Sequence, residues 1–485
     1  MNNGDLHGSL RSTGLPDLPE PVREPCMRIA RAVQAAGGRA LLVGGWVRDA
    51  FLGYTSKDVD MEVYGLEPTV LERLLRRSFR IVQTGRVFGV FKLHGLPIDI
   101  ALPRRESKMG LGHKGFRVEG DPYLPVEEAF LRRDFTINAI ALDLLSSEVI
   151  DPCGGLADLR RRVLRHTGKQ FDEDPLRVLR AMQFMARFEL TAVPETVALC
   201  RQVEPEGLPA ERLCEEWQKC LLKGAKPSLG LNFLQACGWM RYYPELAALI
   251  DCPQDPEWHP EGDVWVHTLH CLDAFARQRI GIDWEDLVVG FAVLCHDLGK
   301  PATTRFEEGR IRSKGHEAAG EVPTRAFLSR LTQHKALIAA VIPLVTNHLR
   351  PREFFLQQAG DSAIRRLARR VGRIDRLVRV ARADLAGRPP LVVDDCPEGE
   401  WLLKRAEALA VKDAVPKPLV LGRHLLALGE QPGRHFKAIL DRCYEAQLDG
   451  QFTDTAGGIL WLRALLAGGL RPSKNIGQKA YWSSM

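Results

Sequence analysis

The chain has 485 residues, which is too long for one hydrophobic core and suggests about three domains. Its 45% hydrophobic and 26% charged residues are typical of a soluble globular protein, and no apolar run approaches the roughly 18 residues of a membrane span. The net charge of +6 is modest, but arginine pairs and triplets recur in the first third, which agrees with phosphate-rich partners.

The cysteines and the N-terminal sequence bear on the cellular compartment. Eleven cysteines are present without any Cys-x-x-Cys pair, which argues against a zinc ribbon and against a disulfide framework. The start, MNNGDLHGSLRSTG, lacks the apolar core of a secretory signal. We therefore expect a cytoplasmic protein with reduced thiols, no membrane attachment and no obligatory protein partner.

The first third of the chain predicts a mixed α/β domain. Residues 22 to 37 have helical spacing, ALLVGG is typical of a strand, and GGWVRDAFLG is typical of a helix opened by glycine. KDVDMEV predicts a second strand in which acidic and apolar residues alternate. Further short strands are predicted at RIVQT, GVFKLHG and PIDIAL.

Two acids stand on the second of these predicted strands. Asp58 and Asp60 are residues i and i+2, so they project to the same face. Carboxylates held that close repel each other unless a cation neutralises them, and Mg²⁺ prefers such oxygen ligands. Asp99 in PIDIAL offers a third carboxylate, and three acids can hold the two metal ions of nucleotidyl transfer. For a bare Asp-x-Asp the alternative is a pair of exposed edge-strand acids.

A pair of glycines precedes these acids. Gly44 and Gly45 follow a predicted strand and open a helix, where backbone N–H groups can approach an anion. A phosphate at the glycines and a metal at the acids would then lie side by side. No Walker loop is present, because the pair Gly299-Lys300 lacks the glycine that the motif requires five residues earlier. An ATPase of that class is therefore disfavoured.

From Gly155 onward, apolar residues recur at three- and four-residue steps, which predicts a mostly helical remainder. Stretches rich in Pro and Asp or in Gly and Pro, near 253–260 and 387–390, predict domain boundaries.

Five stretches of the first 190 residues carry a family resemblance. They are LVGGWVRDAFLG, KDVDMEV, RRDFTINAIALD, IDPCGGLADLRRRVLRH and FDEDPLRVLRAMQFMARF. In this order they resemble the bacterial tRNA nucleotidyltransferases (CCA-adding enzymes) and the related bacterial poly(A) polymerases. The resemblance implies a DNA polymerase β-like head in which Asp58 and Asp60 are the metal-binding catalytic acids. It also implies that Gly45, Arg48 and Arg133 contact the incoming nucleotide.

The same family reads the base with protein side chains, through a Glu-Asp-x-x-Arg motif that falls here on Glu173, Asp174 and Arg177. With Arg180, the three-residue steps predict that Asp174 and the two arginines share one helix face. Asp174 can accept from an exocyclic amine while Arg177 donates to ring acceptors, which would accommodate C or A without a nucleic-acid template. Many relatives carry a further arginine where this chain has Gln183, which cannot neutralise a phosphate.

Two stretches bear on which member of the family this chain resembles. Residues 104–121 resemble the flexible loop that helps the switch from C to A, which argues against an enzyme that adds only CC. LRRDFTINAIALD and LADLRRRVLRH are closer to the CCA-adding branch than to poly(A) polymerases. Addition of the terminal A alone and poly(A) polymerase activity stay alternatives.

A second group of candidate ligands follows the neck. FAVLCHDLGK resembles the centre of an HD phosphohydrolase domain, which implies a ligand set with further histidines for a second metal. These residues are His267, His296, Asp297, Asp384, His316 and His348. Imidazoles and carboxylates together suit Ni²⁺, Mn²⁺, Co²⁺, Zn²⁺ or Mg²⁺. His259, His270 and His334 fit no ligand position and are interpreted as structural.

The expected architecture is α+β: a DNA polymerase β-like nucleotidyltransferase head with a small mixed sheet, then a mostly α-helical neck, HD domain and tail. The predicted segments are an N-terminal extension and helix (1–38), the head (39–152), the neck and RNA-binding body (153–252), the HD domain (253–388) and a helical tail (389–485).

The expected function is addition of the 3′-terminal CCA, or its A, to tRNA from CTP and ATP with Mg²⁺ and release of pyrophosphate. The partner is the tRNA 3′ end, and the HD domain is expected to add phosphatase or 2′,3′-cyclic phosphodiesterase activity. A third interpretation is an HD metal phosphohydrolase whose head only binds RNA, although such a head has no need of the paired acids.

Overall fold

The computed structural model describes residues 18–56, 58–84, 90–108, 116–390 and 395–468. The chain divides into two compact units, one running to Ala247 with the addition of Arg330–Thr332, the other beginning at Ala248. This division lies near the predicted boundary between 252 and 253, and the finer division into five segments stays a prediction. Parts of the predicted N-terminal extension, of the loop at 104–121 and of the C-terminal tail lie outside the described residues.

The first unit opens with the α/β domain that the sequence predicts. Its helices are α1 (Glu20–Ala35), α2 (Gly45–Phe51), α3 (Pro68–Arg76) and α4 (Val126–Leu131). Its strands are β1 (Arg39–Val43), β2 (Val59–Tyr64), β3 (Ile81–Thr84), β4 (Val90–Leu93), β5 (Ile98–Ala101), β6 (Arg104–Lys108), β7 (Phe116–Gly120), β8 (Ala141–Asp143) and β9 (Val149–Ile150).

Seven of these strands form one mixed sheet in the order β3-β4-β5-β2-β1-β8-β9, and β6 pairs with β7 as a separate hairpin. Only β2 and β5 are parallel among the described pairs of this sheet, while the other neighbours are antiparallel. The middle of the sheet is apolar, with Leu41 and Leu42 of β1 fully buried. The parallel pair brings together residues that are far apart in sequence.

The rest of the first unit is mostly helical. Its helices are α5 (Gly155–Arg160), α6 (Leu176–Phe188), α7 (Pro194–Gln202), α8 (Ala210–Lys223), α9 (Pro227–Ala236) and α10 (Pro244–Ala247), and its short strands β10 (Val163–Leu164) and β11 (Thr191–Ala192) pair in parallel. Helix α6 is buried along most of its length, including both Leu179 and Met182, because it packs against α8 and α9. It is the central helix of this region.

The second unit is almost entirely helical, apart from the hairpin of β12 (Arg305–Glu307) and β13 (Arg310–Arg312). Its helices are α11 (Val264–Arg277), α12 (Asp283–Cys295), α13 (Lys300–Thr303), α14 (His316–Ala319), α15 (Glu321–Leu331, whose last two residues group with the first unit), α16 (Lys335–Val345), α17 (Arg350–Leu356), α18 (Asp361–Val371), α19 (Ile374–Ala386), α20 (Pro397–Ala408), α21 (Gly422–Ala427), α22 (His435–Leu448) and α23 (Thr455–Ala467). Helix α12 is buried from Glu285 to Cys295 and packs against α11, α16 and α19. Among all described helices, none is long and apolar enough to cross a membrane.

Candidate functional sites

Two of the predicted catalytic acids meet across the parallel strands of the head. Asp60 of β2 stands opposite Asp99 of β5, and both line a cavity of about 380 Å³. Val59 and Met61, the neighbours of Asp60, are buried in the core. The alternation of buried and exposed residues therefore turns Asp60 outward. Asp58 comes directly before β2 and is exposed as well.

The charges around Asp60 oppose its ionisation in the absence of a cation. Desolvation, with the negative charges of Asp99 and Asp58, raises the pKa of Asp60 above its usual value, and the nearby Arg133 and Lys92 only partly compensate. Lys92 of β4 lies opposite Asp99, and its Nζ is 2.7 Å from Oδ2 of that acid. Three converging carboxylates whose repulsion a cation would relieve fit a divalent metal ion.

The turn between β1 and α2 lies beside this cavity. Gly44 has a φ of +70°, a conformation that residues with a side chain rarely adopt. A Cβ built on Gly44 would lie 3.3 Å from an Nη of Arg133 and 3.8 Å from Oδ2 of Asp60. The guanidinium of Arg133 is held by Glu62 at 3.4 Å and also lines the cavity. The structure thus brings Gly44, Asp60 and Arg133 together.

Arg48 of α2 is buried and bonded within the head. It is only 5% exposed, and its guanidinium donates to Oδ1 of Asp49 at 2.8 Å and to Oδ1 of Asn138 at 2.6 Å. It also stacks on Phe184 and Phe188 of α6. In this structure Arg48 connects α2 to α6 beneath the glycine turn, and direct contact with a nucleotide stays a prediction.

The expectation that Asp174, Arg177 and Arg180 share one helix face is wrong for Asp174. Helix α6 begins at Leu176, and Asp174 has extended backbone with φ −116° and ψ 102°. The physical reason is Pro175, because a residue before proline is disfavoured in the helical region. The Asp174 side chain instead accepts from the backbone N–H of Leu176 and from Arg212 at 3.2 Å.

The two arginines of α6 tie this helix to the RRDFTINA segment. Arg177 donates to the carbonyl oxygens of Gln170 at 2.7 Å and Arg132 at 2.8 Å, next to Arg133. Arg180 donates to Oδ2 of Asp134 at 2.7 Å. Burial alone would raise the pKa of Asp134, but Arg180 and a hydrogen bond from Asn138 outweigh it and hold that pKa below its usual value. Arg177 and Arg180 are therefore connected directly to the residues on either side of Arg133.

Gln183, where many relatives have an arginine, is buried. It is 1% exposed, and its Oε1 accepts from Arg187 at 3.4 Å. In this structure it contributes to packing within the first unit.

The second unit gathers all six predicted HD ligands. His267 and His296 approach each other through their Nε2 atoms at 3.4 Å, and His316 and His348 do so at 3.2 Å. Asp297 connects the two pairs, with Oδ2 3.2 Å from His296 and Oδ1 3.3 Å from His316. The sixth residue, Asp384 of α19, places Oδ1 3.1 Å from Nε2 of His267.

Backbone carbonyls assign the tautomers of three of these histidines. The Nδ1 atoms of His296, His316 and His348 lie 2.7 to 2.8 Å from a carbonyl oxygen three positions earlier in the chain. Since a carbonyl only accepts, each Nδ1 carries the proton, and in the neutral ring Nε2 is an acceptor. Burial, with the charges of His296 and His316, lowers the pKa of His348 to about 3, so this ring is neutral.

Facing acceptor nitrogens fit a metal ion. When both rings are neutral, the Nε2 atoms of His316 and His348, 3.2 Å apart, are two acceptors with no proton between them, and a cation that binds between them stabilises the pair. Neither oxygen of the buried Asp297 accepts a hydrogen bond among the described residues, although the Lys300 ammonium nitrogen lies 2.7 Å from Oδ2. The donor set of imidazoles and carboxylates therefore fits a divalent metal site.

The site includes residues that the sequence analysis did not select. Glu261 lies 2.7 Å from Nδ1 of His267 and 2.9 Å from Nδ1 of His259, which gives His259 a role in supporting a candidate ligand. Arg388 donates to Asp384 at 2.8 Å and, against the effect of burial, holds the pKa of that carboxyl well below its usual range. A cavity of about 300 Å³ lies beside the ligands, and it is lined by Asp297, His316, His348, Lys300, Arg352 and Arg388.

Sequence signals for some of these residues were present. Glu261, the first acidic residue in WHPEGD, precedes His267 by six positions, and Cys271 follows His267 by one helical turn on α11. Spacing alone could have placed Cys271 on the face of His267. Nothing in the sequence showed that the Glu261 carboxylate contacts the imidazole of His267, because the position of Glu261 depends on the loop before α11.

Comparison with known proteins agrees with this geometry. A family model described as the Poly A polymerase head domain matches residues 40–165. A crystal structure of the Bacillus stearothermophilus CCA-adding enzyme in complex with CTP has a TM-score of 0.65 at 23% identity, covering 93% of this chain and 99% of that one. A Thermotoga maritima CCA-adding enzyme complexed with tRNA has a TM-score of 0.56 at 21% identity, covering 93% and 96%. Head and fold together define a nucleotidyltransferase with a DNA polymerase β-like head.

Curated relatives place the chain within a family. A protein named Multifunctional CCA protein in Xanthomonas campestris pv. campestris (strain B100) is 40% identical over 385 residues, which cover 76% of this chain and 90% of the relative. One with the same name in Xylella fastidiosa (strain M12) is 39% identical over 393 residues, covering 77% and 90%. The chain belongs to the family of multifunctional CCA proteins, and it is an enzyme of nucleotidyl transfer.

Proposed function

We propose that this enzyme adds the 3′-terminal CCA to tRNA from CTP and ATP, without a nucleic-acid template and with release of pyrophosphate. The observation that carries the proposal is the convergence of Asp60, Asp99 and Arg133 on one cavity, with Gly44 beside Asp60 and Arg133. The names of the relatives and the CTP, ATP and tRNA complexes among similar structures support the same reaction.

In this proposal the chain's own residues position the triphosphate and the attacking hydroxyl. Asp58, Asp60 and Asp99 would hold Mg²⁺, which supplies charge neutralisation and activates the hydroxyl when bound. Gly44 and Gly45 leave room for phosphate oxygens at the turn before α2, and Arg133 places a positive charge beside them. No nucleophilic side chain is required, because phosphoryl chemistry depends mainly on positioning and charge neutralisation.

Choice of the base is assigned to Asp174, Arg177 and Arg180. Each of these side chains is engaged with the protein in the absence of nucleotide. A base that enters the site would exchange some of these hydrogen bonds for its own donors and acceptors. The free-energy cost of this exchange is low for Asp174, because it is partly exposed and its ion pair with Arg212 at 3.2 Å is partly exposed as well.

The test offers three tRNA transcripts, ending before CCA, after C and after CC, each with CTP and ATP separately. A CCA-adding enzyme extends the first two with CTP and the third with ATP by a single residue. Extension only after CC would show an A-adding enzyme. Long adenylate tails on generic RNA would instead show the alternative, a poly(A) polymerase. Failure to extend any transcript would refute the proposal.

For the second unit we propose metal-dependent hydrolysis of phosphate esters, as a phosphatase or 2′,3′-cyclic phosphodiesterase. The supporting observation is the group of Nε2 atoms and carboxylates beside a cavity that contains Lys300, Arg352 and Arg388, whose charges suit a phosphate. A transition metal such as Ni²⁺, Mn²⁺ or Co²⁺ bound there would lower the pKa of an attacking water.

Crossed variants separate the two activities. The double variant His296→Ala, Asp297→Ala is expected to lose hydrolysis of a 2′,3′-cyclic nucleotide with added metals, while it still adds AMP to tRNA ending in CC. Asp60→Ala is expected to lose addition of AMP to this tRNA and to keep hydrolysis of the cyclic nucleotide. If the double variant and the parent hydrolyse the cyclic nucleotide at the same rate, the hydrolase proposal is refuted.

A further inference from the structure

A cysteine lies among the candidate ligands of the second unit. Cys271 follows His267 by four residues on α11, so the two side chains share a helix face. Its Sγ lies 3.3 Å from Nε2 of His267 and 3.8 Å from the carbonyl oxygen of Asp384. Among the described residues, Cys271 is the single cysteine that belongs to a group of possible metal ligands, with His267, His296 and Asp384.

Packing holds this sulfur in place. Cys271 is fully buried, and a Cβ added to Gly387 would lie 2.3 Å from Sγ, so the glycine backbone at the end of α19 presses directly against the thiol. A larger residue at 387 would exclude the sulfur from its position. The sulfur therefore faces His267 because the chain leaves it little room elsewhere.

The distances from His267 to the other three members agree with those of a tetrahedral metal site, and all four ligand atoms lie within 4.8 Å of one another. Bonds of about 2.0 Å to N or O and 2.3 Å to S place neighbouring ligand atoms about 3.3 to 3.5 Å apart in tetrahedral geometry. From Nε2 of His267 the observed distances are 3.3 Å to Sγ of Cys271, 3.1 Å to Oδ1 of Asp384 and 3.4 Å to Nε2 of His296. The adjacent Asp297 is buried, and its Oδ1, 3.3 Å from Nε2 of His316, accepts no hydrogen bond among the described residues, which independently points to a cation at this place.

We propose that Cys271 is a thiolate ligand of a metal ion shared with His267, His296 and Asp384, and that it selects a thiophilic divalent ion such as Zn²⁺, Co²⁺ or Ni²⁺ over Mg²⁺. This inference rests on the proposed metal site of the second unit and specifies its ligand set. On binding, a metal–sulfur bond forms, the S–H bond breaks and the proton passes to solvent.

The chemical consequence is metal selectivity. Carboxylates and imidazoles alone accept hard and borderline ions, whereas a thiolate is a poor ligand for Mg²⁺ and a strong one for Zn²⁺ and Co²⁺. With four protein ligands in tetrahedral geometry, the ion in this position would have no open place for a water. The histidines of the second group, His316 and His348 with Asp297, keep a donor set without sulfur.

The test uses the full-length protein stripped of metal and then loaded with one equivalent of Co²⁺. A cysteine ligand produces a sulfur-to-cobalt charge-transfer band in the near ultraviolet, and we expect this band in the parent protein. Cys271→Ser is expected to retain its fold and bind Co²⁺ without the band. Cys252→Ser is the matched control, because Cys252 is a buried thiol of the same unit whose Sγ contacts Thr304 at 3.8 Å.

A second measurement needs no variant. X-ray absorption of the Zn²⁺-loaded parent should show one sulfur neighbour at about 2.3 Å.

In competition assays, Cys271→Ser should weaken Zn²⁺ binding by at least about tenfold, the lower end of what loss of an outer-shell partner costs, with little change for Mg²⁺. Co²⁺ binding without the band in the parent, or with the band retained in Cys271→Ser, overturns the role of the cysteine and leaves the metal site standing. Failure to bind Co²⁺ or Zn²⁺ overturns both.

Discussion

Asp60 stands directly opposite Asp99 because β2 and β5 are parallel neighbours in the sheet, although two antiparallel strands separate them along the chain. Each acid projects from between buried apolar residues, so neither can turn away without disturbing the sheet. This rigidity is what a site for metal-dependent transfer needs, since misplacement of reacting groups by about 1 Å costs roughly a hundredfold in rate.

Asp60→Ala should reduce addition of AMP to tRNA ending in CC by about 10²- to 10⁴-fold, because it removes several kcal/mol of charge stabilisation by a bound metal. Incorporation of labelled ATP measures the loss, and thermal unfolding checks the fold. Glu72→Gln is the control, since Glu72 pairs with Arg76 on α3, away from the cavity. Retained activity in Asp60→Ala would contradict the assignment of the acids.

Lys92→Met should lower the Mg²⁺ concentration needed for half-maximal transfer by about two- to fivefold. The ammonium of Lys92 lies 2.7 Å from Asp99 and competes with a cation for the acids, and the effect is small because both groups are exposed. A titration of rate against Mg²⁺ at fixed ionic strength measures it. A higher Mg²⁺ requirement would show that Lys92 assists the nucleotide instead.

Asp134→Asn should destabilise the protein at pH 7 by about 1.5–3 kcal/mol, because the Arg180 guanidinium loses a charged acceptor at 2.7 Å. The pKa of Asp134 is lowered in the folded state, so the stabilisation is complete above the unfolded pKa of about 3.9 and is lost as pH falls through the folded pKa. Urea unfolding should therefore show a difference between parent and variant that shrinks from pH 5 toward pH 3.

The control for that series is Asp172→Asn, because Asp172 is an exposed acid near the start of α6. It should change stability by less than about 0.5 kcal/mol at each pH. If Asp134→Asn is no less stable than this control at pH 7, the ion pair does not stabilise the fold.

Glu261→Gln should weaken metal binding in the second unit by about 10- to 100-fold, since a carboxylate that orients a ligating histidine has effects of that size. Glu261 contacts Nδ1 of both His259 and His267. Isothermal titration with Zn²⁺ measures the change. Glu257→Gln is the control, because Glu257 is exposed and pairs with Arg310. Equal affinities in the two variants would show that Glu261 is structural.

Gly299→Ala should weaken metal binding and lower the melting temperature, because a Cβ at 299 would lie 2.0 Å from the carbonyl oxygen of His316. The resulting shift of the backbone moves a candidate ligand, and overpacking of this kind costs about 1–3 kcal/mol. Gly360→Ala is the control, since a Cβ there meets no atom within 4 Å. Unchanged binding and melting in Gly299→Ala would refute this account of the close approach.

Several parts of the fold and sites were predictable from sequence, and the exceptions have physical reasons. The i, i+2 spacing predicted that Asp58 and Asp60 project to one side, and both are exposed. The six candidate HD ligands, predicted in order along the chain, lie together in the second unit. Strand order is not local, so the pairing of Lys92 with Asp99 could not be predicted. Asp174 was placed in a helix because its spacing to Arg177 fits, but Pro175 prevents the helical backbone there.

The hydrogen bonds from His296, His316 and His348 to carbonyls three positions earlier need nothing beyond the adjacent turn of backbone. A histidine that is oriented by its own local backbone stays oriented when the ion leaves. Exchange of one metal for another therefore requires no rearrangement of these side chains. At the ends of α12 and α16 the arrangement needs only a histidine three positions after a carbonyl of the last turn, so a protein designer could reproduce it at other helix ends.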